Sequence, residues 1–444
     1  MVVLLLLFLT LFKLYNTTPI EQTAIFNRQM WLTDSLLAES KSADTTSLFE
    51  AGWSKVSLIP PFTTPIAIDA HRKGRHFEGI HDSVYVRAFV FKKGNTKVAF
   101  ISADLLIIPS TVTQLADSML TQNGFNHSNI YYTATHTHSS IGGWHNSYVG
   151  EIFAGKYDAR VPEFIAHQIK AVILEAEKKC LPTTIGYAEA GTTKLVYNRL
   201  VTDMAHLPDS TGKIDSIVRI IKLQNSVGQT AVIATYSAHN TVYHESLMQL
   251  SGDWCGQMMK NIEASGTVDF CSFSAGAVGS HGPYKASDQD EAEAKYMANG
   301  VSEAVKNCLD TLGTHAANNL YMIRLPLLLN PPNLKLNKYI SLRPWVFHFL
   351  FGKEMIYVNY LQLDAIPFIG LPCDFSGEIT AELMEEHPAI SPFIVTSFNG
   401  GYIGYVTHSK HENLNTYETQ TMNWFGPGTG NHFKQLIEKM VLRH

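Results

Sequence analysis

Cysteine is scarce: five occur in 444 residues, at 180, 255, 271, 308 and 373. Their odd number and wide scatter argue against a disulfide framework or a cysteine-built metal knot and leave them as small apolar side chains. Long basic runs are missing too, and the formal net charge is −5, so the clustered positive face that a nucleic-acid partner would need is not expected. Only 16% of residues are charged against 45% hydrophobic, a balance foreign to disordered chains. No apolar run reaches the roughly 20 residues that cross a bilayer as a helix. The longest, residues 1–12, is followed directly by Lys13 and lacks a basic leader, but otherwise resembles the core of a secretory signal or a short anchor. The expectation is a protein outside the cytoplasm, periplasmic or secreted, held to a membrane through residues 1–19 if that segment is retained. Repeats and low-complexity tracts are absent, and the length allows one or two substantial cores.

What is present reads as an α/β body. Residues 20–42 have apolar positions at helical spacing, so 20–55 is expected to be a helical spacer ahead of a catalytic-sized domain over 56–444. Residues 84–91 and 97–103 flank the turn Lys93-Gly94-Asn95 and predict a hairpin. Branched and aromatic residues predict strands over 130–135, 217–223, 230–236, 320–328, 357–371 and 393–398. Helical periodicity predicts helices over 111–122, 161–179 and 289–309. The short aromatic segment 342–350 (LRPWVFHFL) reads as a core helix, or else as a lip that touches lipid. The fold class is mixed β-sheets flanked by helices, with a site at strand ends.

The chemistry concentrates where predicted strands stop. Tyr131-Tyr132-Thr133-Ala134-Thr135-His136-Thr137-His138 ends in two histidines before a Gly-rich loop. Residues two apart in a strand point to the same side, so His136 and His138 can face one site at the strand's mouth. His239 closes another strand in SAHNT (237–241), and Asp374, with Glu378 behind it, follows the apolar strand that ends at Leu371. Imidazoles and a carboxylate drawn from separate strand ends suit an open zinc site. Each taken alone also fits a bland role, a hydrogen-bonded core histidine or a helix N-cap.

Taken in order, GIHDSVYVRAFVF (79–91), ATHTHSSIGG (134–143), Tyr197-Asn198-Arg199, SAHNT, SGDWCG (251–256) and GYIGYVT (401–407) resemble the neutral ceramidases, zinc amidases that release a fatty acid from sphingoid amides. The resemblance runs from about residue 56 to 430. It implies a deep, narrow pocket ending at zinc, an N-acyl lipid as substrate and a membrane surface as its source. Position by position, it implies His136, His239, Asp374 and Tyr405 as zinc ligands, with Glu378 as the alternative if Asp374 is too short to reach. It also implies Tyr417 as the donor to the scissile carbonyl, and Arg199 and His138 beside the reaction centre.

Two departures matter. Where the family carries a serine proposed as nucleophile, this sequence reads Ala277-Val278-Gly279-Ser280-His281-Gly282-Pro283, with Gly282 in the serine's place. The simpler expectation is attack by hydroxide generated at zinc, with His138 or His281 as base and Ser280 as the substitute nucleophile only if the loop is rebuilt. The loss also leaves open a zinc hydrolase of another amide or ester, or a lipid binder that does not cut. The family's C-terminal immunoglobulin-like domain is not expected here, since the sequence stops soon after Trp424-Phe425-Gly426-Pro427.

Overall fold

The computed structural model describes residues 8–39, 47–68, 72, 74–202, 212–354, 356–388 and 392–442. A nine-stranded sheet dominates the first two thirds of the chain. Along its path the strands are Phe270–Ala275, Thr230–Tyr236, Ile217–Asn225, Leu181–Gly191, Phe49–Ser57, Tyr85–Lys93, Thr96–Ala103 and Ile130–Ala134, with His315–Ala316 added beside Leu181–Gly191. Neighbours along the middle are antiparallel, while the pair at each edge is parallel. The expected hairpin is there, Lys93 opposite Thr96 across Gly94.

The two edges of this sheet meet. Thr133 Oγ1 on one edge strand lies 2.7 Å from Ser274 Oγ on the other, and Ser102 Oγ donates to the Phe273 carbonyl. A second sheet, Leu320–Pro326, Tyr357–Leu363, Ile366–Leu371 and Ile394–Ser397, closes over the seam. There Tyr131 Oη bonds Thr396 Oγ1 at 2.7 Å and Ser397 Oγ donates to the Gly276 carbonyl at 2.8 Å. Between the sheets lies an aromatic layer that includes Phe89, Phe91, Phe100, Tyr131, Phe270 and Phe368. These rings alternate with residues facing the helices, because side chains along a strand take opposite faces in turn.

Helices cover the outside. Ser110–Leu120 and Arg160–Lys178 pack on one flank of the large sheet and Asp253–Ala264 and Asp290–Leu309 on the other. Ile165, Ile169, Val172, Ile173 and Ala176 make one buried stripe on the helix Arg160–Lys178, as its helical periodicity requires. Ala24–Glu39, Gly377–Glu386 and Thr429–Val441 join the core under the second sheet.

The expected strands appear within a residue or two of their bounds, and 357–371 resolves into a hairpin. The spacer needs correcting. Ala24–Glu39 packs on Thr429–Val441 with Leu37 buried, and Phe49–Ser57 is a central strand, so the body takes in residues well ahead of 56. Strand Leu181–Gly191 was not expected, because Pro182, Gly186 and two alanines dilute its β signal. Its partners on both sides decide its conformation, and at Gly186 a Cβ would sit 2.4 Å from the Gly313 carbonyl oxygen. Residues 1–7 of the expected leader lie outside the described residues. Among the described residues no helix is long and apolar enough to cross a membrane.

Candidate metal centre and acyl cavity

Where the sheet edges converge, strand Ile130–Ala134 continues its pairing for two residues, Thr135 N bonding the Ala103 carbonyl and His136 N that of Leu105. His136 then turns into the left-handed region, φ 64°, an arrangement uncommon outside glycine and typical of functional positions. Its ring stacks on Phe398 with centroids 4.1 Å apart. The turn aims Nε2 inward, to 3.1 Å from Nε2 of His239, which arrives from the opposite end of the sheet after strand Thr230–Tyr236.

Both rings are oriented from behind. Nδ1 of His136 lies 2.7 Å from the Leu106 carbonyl and Nδ1 of His239 2.8 Å from that of Val278. Carbonyls only accept, so each Nδ1 carries the proton and each Nε2 turns a lone pair to the centre, the usual arrangement of a metal-binding imidazole. Burial holds both imidazoles below their ordinary pKa; Asp374 opposes the shift at His136, while Arg199 deepens it at His239. Neutral rings are what a metal needs.

Asp374 enters from the second sheet's end, where it pairs with Tyr405 in a short parallel bridge. Its Oδ1 is 3.5 Å from Nε2 of both histidines. Tyr402 Oη donates to Oδ2 at 2.6 Å, but Oδ1 is buried without a hydrogen-bond partner. Burial raises the Asp374 pKa, countered by His136. Tyr405 Oη is 3.4 Å from Nε2 of His239, and His138 Nε2 is 3.4 Å from that of His136. His136, His138 and His239 form a cluster whose ligand atoms all lie within 4.8 Å of one another. Ligands about 2.0–2.1 Å from one tetrahedral zinc stand roughly 3.3 Å apart, so this donor set, with its orphaned carboxylate oxygen, fits the ion.

The other expected residues divide. Arg199 bonds Glu418 at 3.2 Å and the Gly279 carbonyl at 2.8 Å, and its guanidinium faces the rings of Tyr405 and Tyr417 at 5.5 and 5.7 Å. Tyr417 lies edge-on to Tyr405, half exposed in the cavity wall. Glu378 points away: it is buried and bonds Asn198, Lys410 and His411. His281 is not brought into the cavity. Its Nε2 accepts from Asp215 N, so Nδ1 donates to Ser280 Oγ, and burial lowers its pKa to about 4. Ser280 is fully buried and also receives Ser376 Oγ. At Gly282 a Cβ would meet the Tyr197 ring at 3.1 Å.

His136, His138, Asp374 and Tyr405 line one part of a cavity of about 940 Å³, with His239 buried behind them. Its walls are chiefly apolar, among them Ile25, Leu106, Trp144, Leu329, Phe347 and Phe425, a lining suited to a hydrocarbon chain. The sequence reading gave Tyr402 no role, and it took the helix Ala24–Glu39, which contributes Ile25 and Arg28 to the lining, for a spacer. Tyr402 stands three residues before Tyr405 in the GYIGYVT motif, and that spacing was the available signal.

The sequence profile described as neutral/alkaline non-lysosomal ceramidase, N-terminal, matches residues 71–292. Among curated proteins none matches significantly. Of solved structures, a neutral ceramidase from Pseudomonas aeruginosa is similar with a TM-score of 0.76 at 14% identity, covering 89% of this chain and 75% of that one. A structure described as a ceramidase complexed with C2 gives 0.73, with the same identity and coverage. At such identity the structures speak for the fold.

Proposed function

Since the chain belongs to the neutral/alkaline non-lysosomal ceramidase family, and so to the amide hydrolases, we propose that it is zinc-dependent and cleaves ceramide-like N-acyl lipids to fatty acid and amine outside the cytoplasm. The observation that carries this reading is the convergence of two lone-pair-bearing imidazole nitrogens with the unpartnered Oδ1 of Asp374 beside an apolar cavity that His136 and Asp374 line.

His136, His239, Asp374 and Tyr405 would hold the zinc. When bound, the ion polarises the amide carbonyl and lowers the pKa of a water toward about 7. The chain's own groups do the rest. The cavity takes the acyl chain and excludes bulk water. Tyr417 donates from its hydroxyl to the oxygen that gains charge as the amide carbon becomes tetrahedral. Arg199 holds Tyr405 and Tyr417 in place and keeps positive potential beside that oxygen. Water attacks the carbonyl carbon, His138 takes its proton and returns one to the leaving nitrogen, and the C–N bond breaks. His281 is not used as base, since both its ring nitrogens are engaged in the core. Nor is a serine nucleophile, because Gly282 has no side chain and Ser280 is sealed away.

Purified protein is expected to carry about one zinc per chain, to release fatty acid from an N-acyl sphingosine, and to lose that activity to a chelator and regain it with zinc. Zinc without any acyl turnover would indicate a binder. Faster turnover of esters than of amides would move the protein to another hydrolase class.

A further inference from the structure

Two short helices, Tyr148–Ala154 and Pro344–Phe351, pack together in the cavity wall. Each gives one face to the lining, through Val149, Gly150 and Phe153 in the first and Phe347, His348 and Phe351 in the second. The other faces are equally apolar but exposed. Tyr148 and Phe349 are 64% and 62% exposed and touch at 5.4 Å, with Ile152 and Trp345 exposed on the same two helices. The segment 342–350 is therefore neither wholly core nor wholly lip: Val346 and Phe347 are buried, Trp345 and Phe349 are not.

The apolar N-terminal segment is stitched to this rim. Phe12–Leu14 pairs with Ile340–Leu342, the Trp345 indole donates to the Thr10 carbonyl at 3.1 Å, and Arg343 Nε donates to the carbonyls of Leu9 and Phe12. Leu11 and Phe12 pack inward with Phe347, while Phe8, Leu9 and Leu14 are exposed. Three stretches distant in sequence thus present one aromatic and aliphatic rim on the outer side of the cavity wall. The charged residues of these stretches, 8–14, 148–154 and 340–354, are Lys13, Arg343 and Lys353 against the acids Glu151 and Glu354.

We propose that this rim docks the protein on a lipid bilayer, so that substrate passes from the acyl region into the cavity without crossing water. The reading rests on the cavity being an acyl-lipid site and names the phase from which its substrate is drawn. Tryptophan and tyrosine favour the interface between headgroups and hydrocarbon, and exposed large apolar side chains clustered together, rather than scattered singly, mark an interaction site. The surplus of basic over acidic residues suits anionic headgroups. A bilayer accounts for three features together: the exposed aromatics, their position on helices that wall an apolar cavity, and an apolar chain segment running into the same rim.

The test uses the full chain and vesicles of phosphatidylcholine and phosphatidylglycerol, roughly 3:1. The protein is expected to cosediment with them, and lipids brominated on their acyl chains are expected to quench a fluorescence component that Trp345→Phe removes. In the double variant Tyr148→Ser/Phe349→Ser, vesicle partitioning is expected to fall at least about tenfold, with turnover of bilayer-embedded N-acyl lipid falling in proportion. Neither residue lines the cavity, so hydrolysis of a short-chain, water-soluble N-acyl amide and the thermal midpoint should stay as they are. Absence of vesicle binding, or binding untouched by the double variant, overturns the proposal. So does a dimer in solution that the double variant dissociates, which would assign the rim to a second copy. Binding needs no zinc and no turnover: vesicle binding without hydrolysis sinks the amidase reading and spares this one, and hydrolysis of the soluble amide without vesicle binding does the reverse.

Discussion

Nε2 of His136 and Nε2 of His239 stand 3.1 Å apart although 103 residues separate them in sequence. Each leaves a strand near a different edge of the same nine-stranded sheet, and they meet because that sheet curls until its edges touch. Two neutral, inward-facing lone pairs so close are tolerable in a protein core when a cation lies between them. Replacing either ring with alanine is expected to remove both the zinc and the activity with the fold retained. Metal analysis beside far-ultraviolet circular dichroism checks it; full zinc content in His136→Ala would show that the ion sits elsewhere.

The carboxylate ligand can be identified by comparing two variants. Asp374→Ala is expected to lose zinc, whereas Glu378→Gln should keep it, because Glu378 is committed to Asn198, Lys410 and His411. The reverse pattern would reinstate Glu378 as ligand.

Glu378 should instead show itself in stability. Burial works against its charge, but His411 and Lys410 overcome that and hold the carboxyl at about 2 against an ordinary 4.5. A depressed folded pKa contributes stability that is fully present above about 4.5 and is lost as pH falls toward about 2. Glu378→Gln is expected to cost about 3 kcal/mol near neutrality, since it leaves His411 and Lys410 without their buried partner. The gap from the parent should narrow in acid. Denaturant unfolding across pH 6 to about 2 measures it, and a gap independent of pH would contradict the assignment.

At the family's serine position the expectation is structural. Ser280→Ala should leave kcat nearly unchanged while destabilising the fold by about 1–3 kcal/mol, because buried donors lose their acceptor. Gly282→Ser should not speed hydrolysis, since its Cβ would press on Tyr197 at 3.1 Å. Mass spectrometry of protein quenched during turnover checks for an acyl group; one found on Ser280 would replace direct attack by water with a two-step route.

Tyr417→Phe keeps the ring against Tyr405 and removes only the hydroxyl. If that hydroxyl stabilises the oxyanion, kcat should fall by about 10²–10³ with KM little changed. A rise in KM alone would mean that Tyr417 binds the lipid without favouring the transition state.

Much of the candidate site was legible before any fold was known, because the proposed ligands sit in short motifs at strand ends: His136 in ATHTHSSIGG, His239 in SAHNT, Tyr405 in GYIGYVT. Local pattern also located the hairpin around Gly94 and the buried stripe of Arg160–Lys178, where periodicity alone decides which face turns inward. Asp374 and Glu378 could not be separated in this way, as both follow the same strand and only the direction of each side chain distinguishes them. The role of His281 was equally hidden, since a histidine beside a reactive-looking loop reads alike whether it faces a cavity or, as here, bonds Asp215 and Ser280 in the core.

Sequence by itself determined the alternation of strands and helices, the residue types able to hold a metal, and the lack of a side chain at Gly282, because these depend on neighbours within a few positions. Only the tertiary structure decided that the large sheet closes on itself, that Oδ1 of Asp374 lies 3.5 Å from both imidazoles, and that the N-terminal apolar segment packs behind the cavity wall at Phe347. Those are distances between residues far apart along the chain. They are set by the packing of the aromatic layer between two sheets and by seam contacts such as Thr133 with Ser274, which no local pattern encodes.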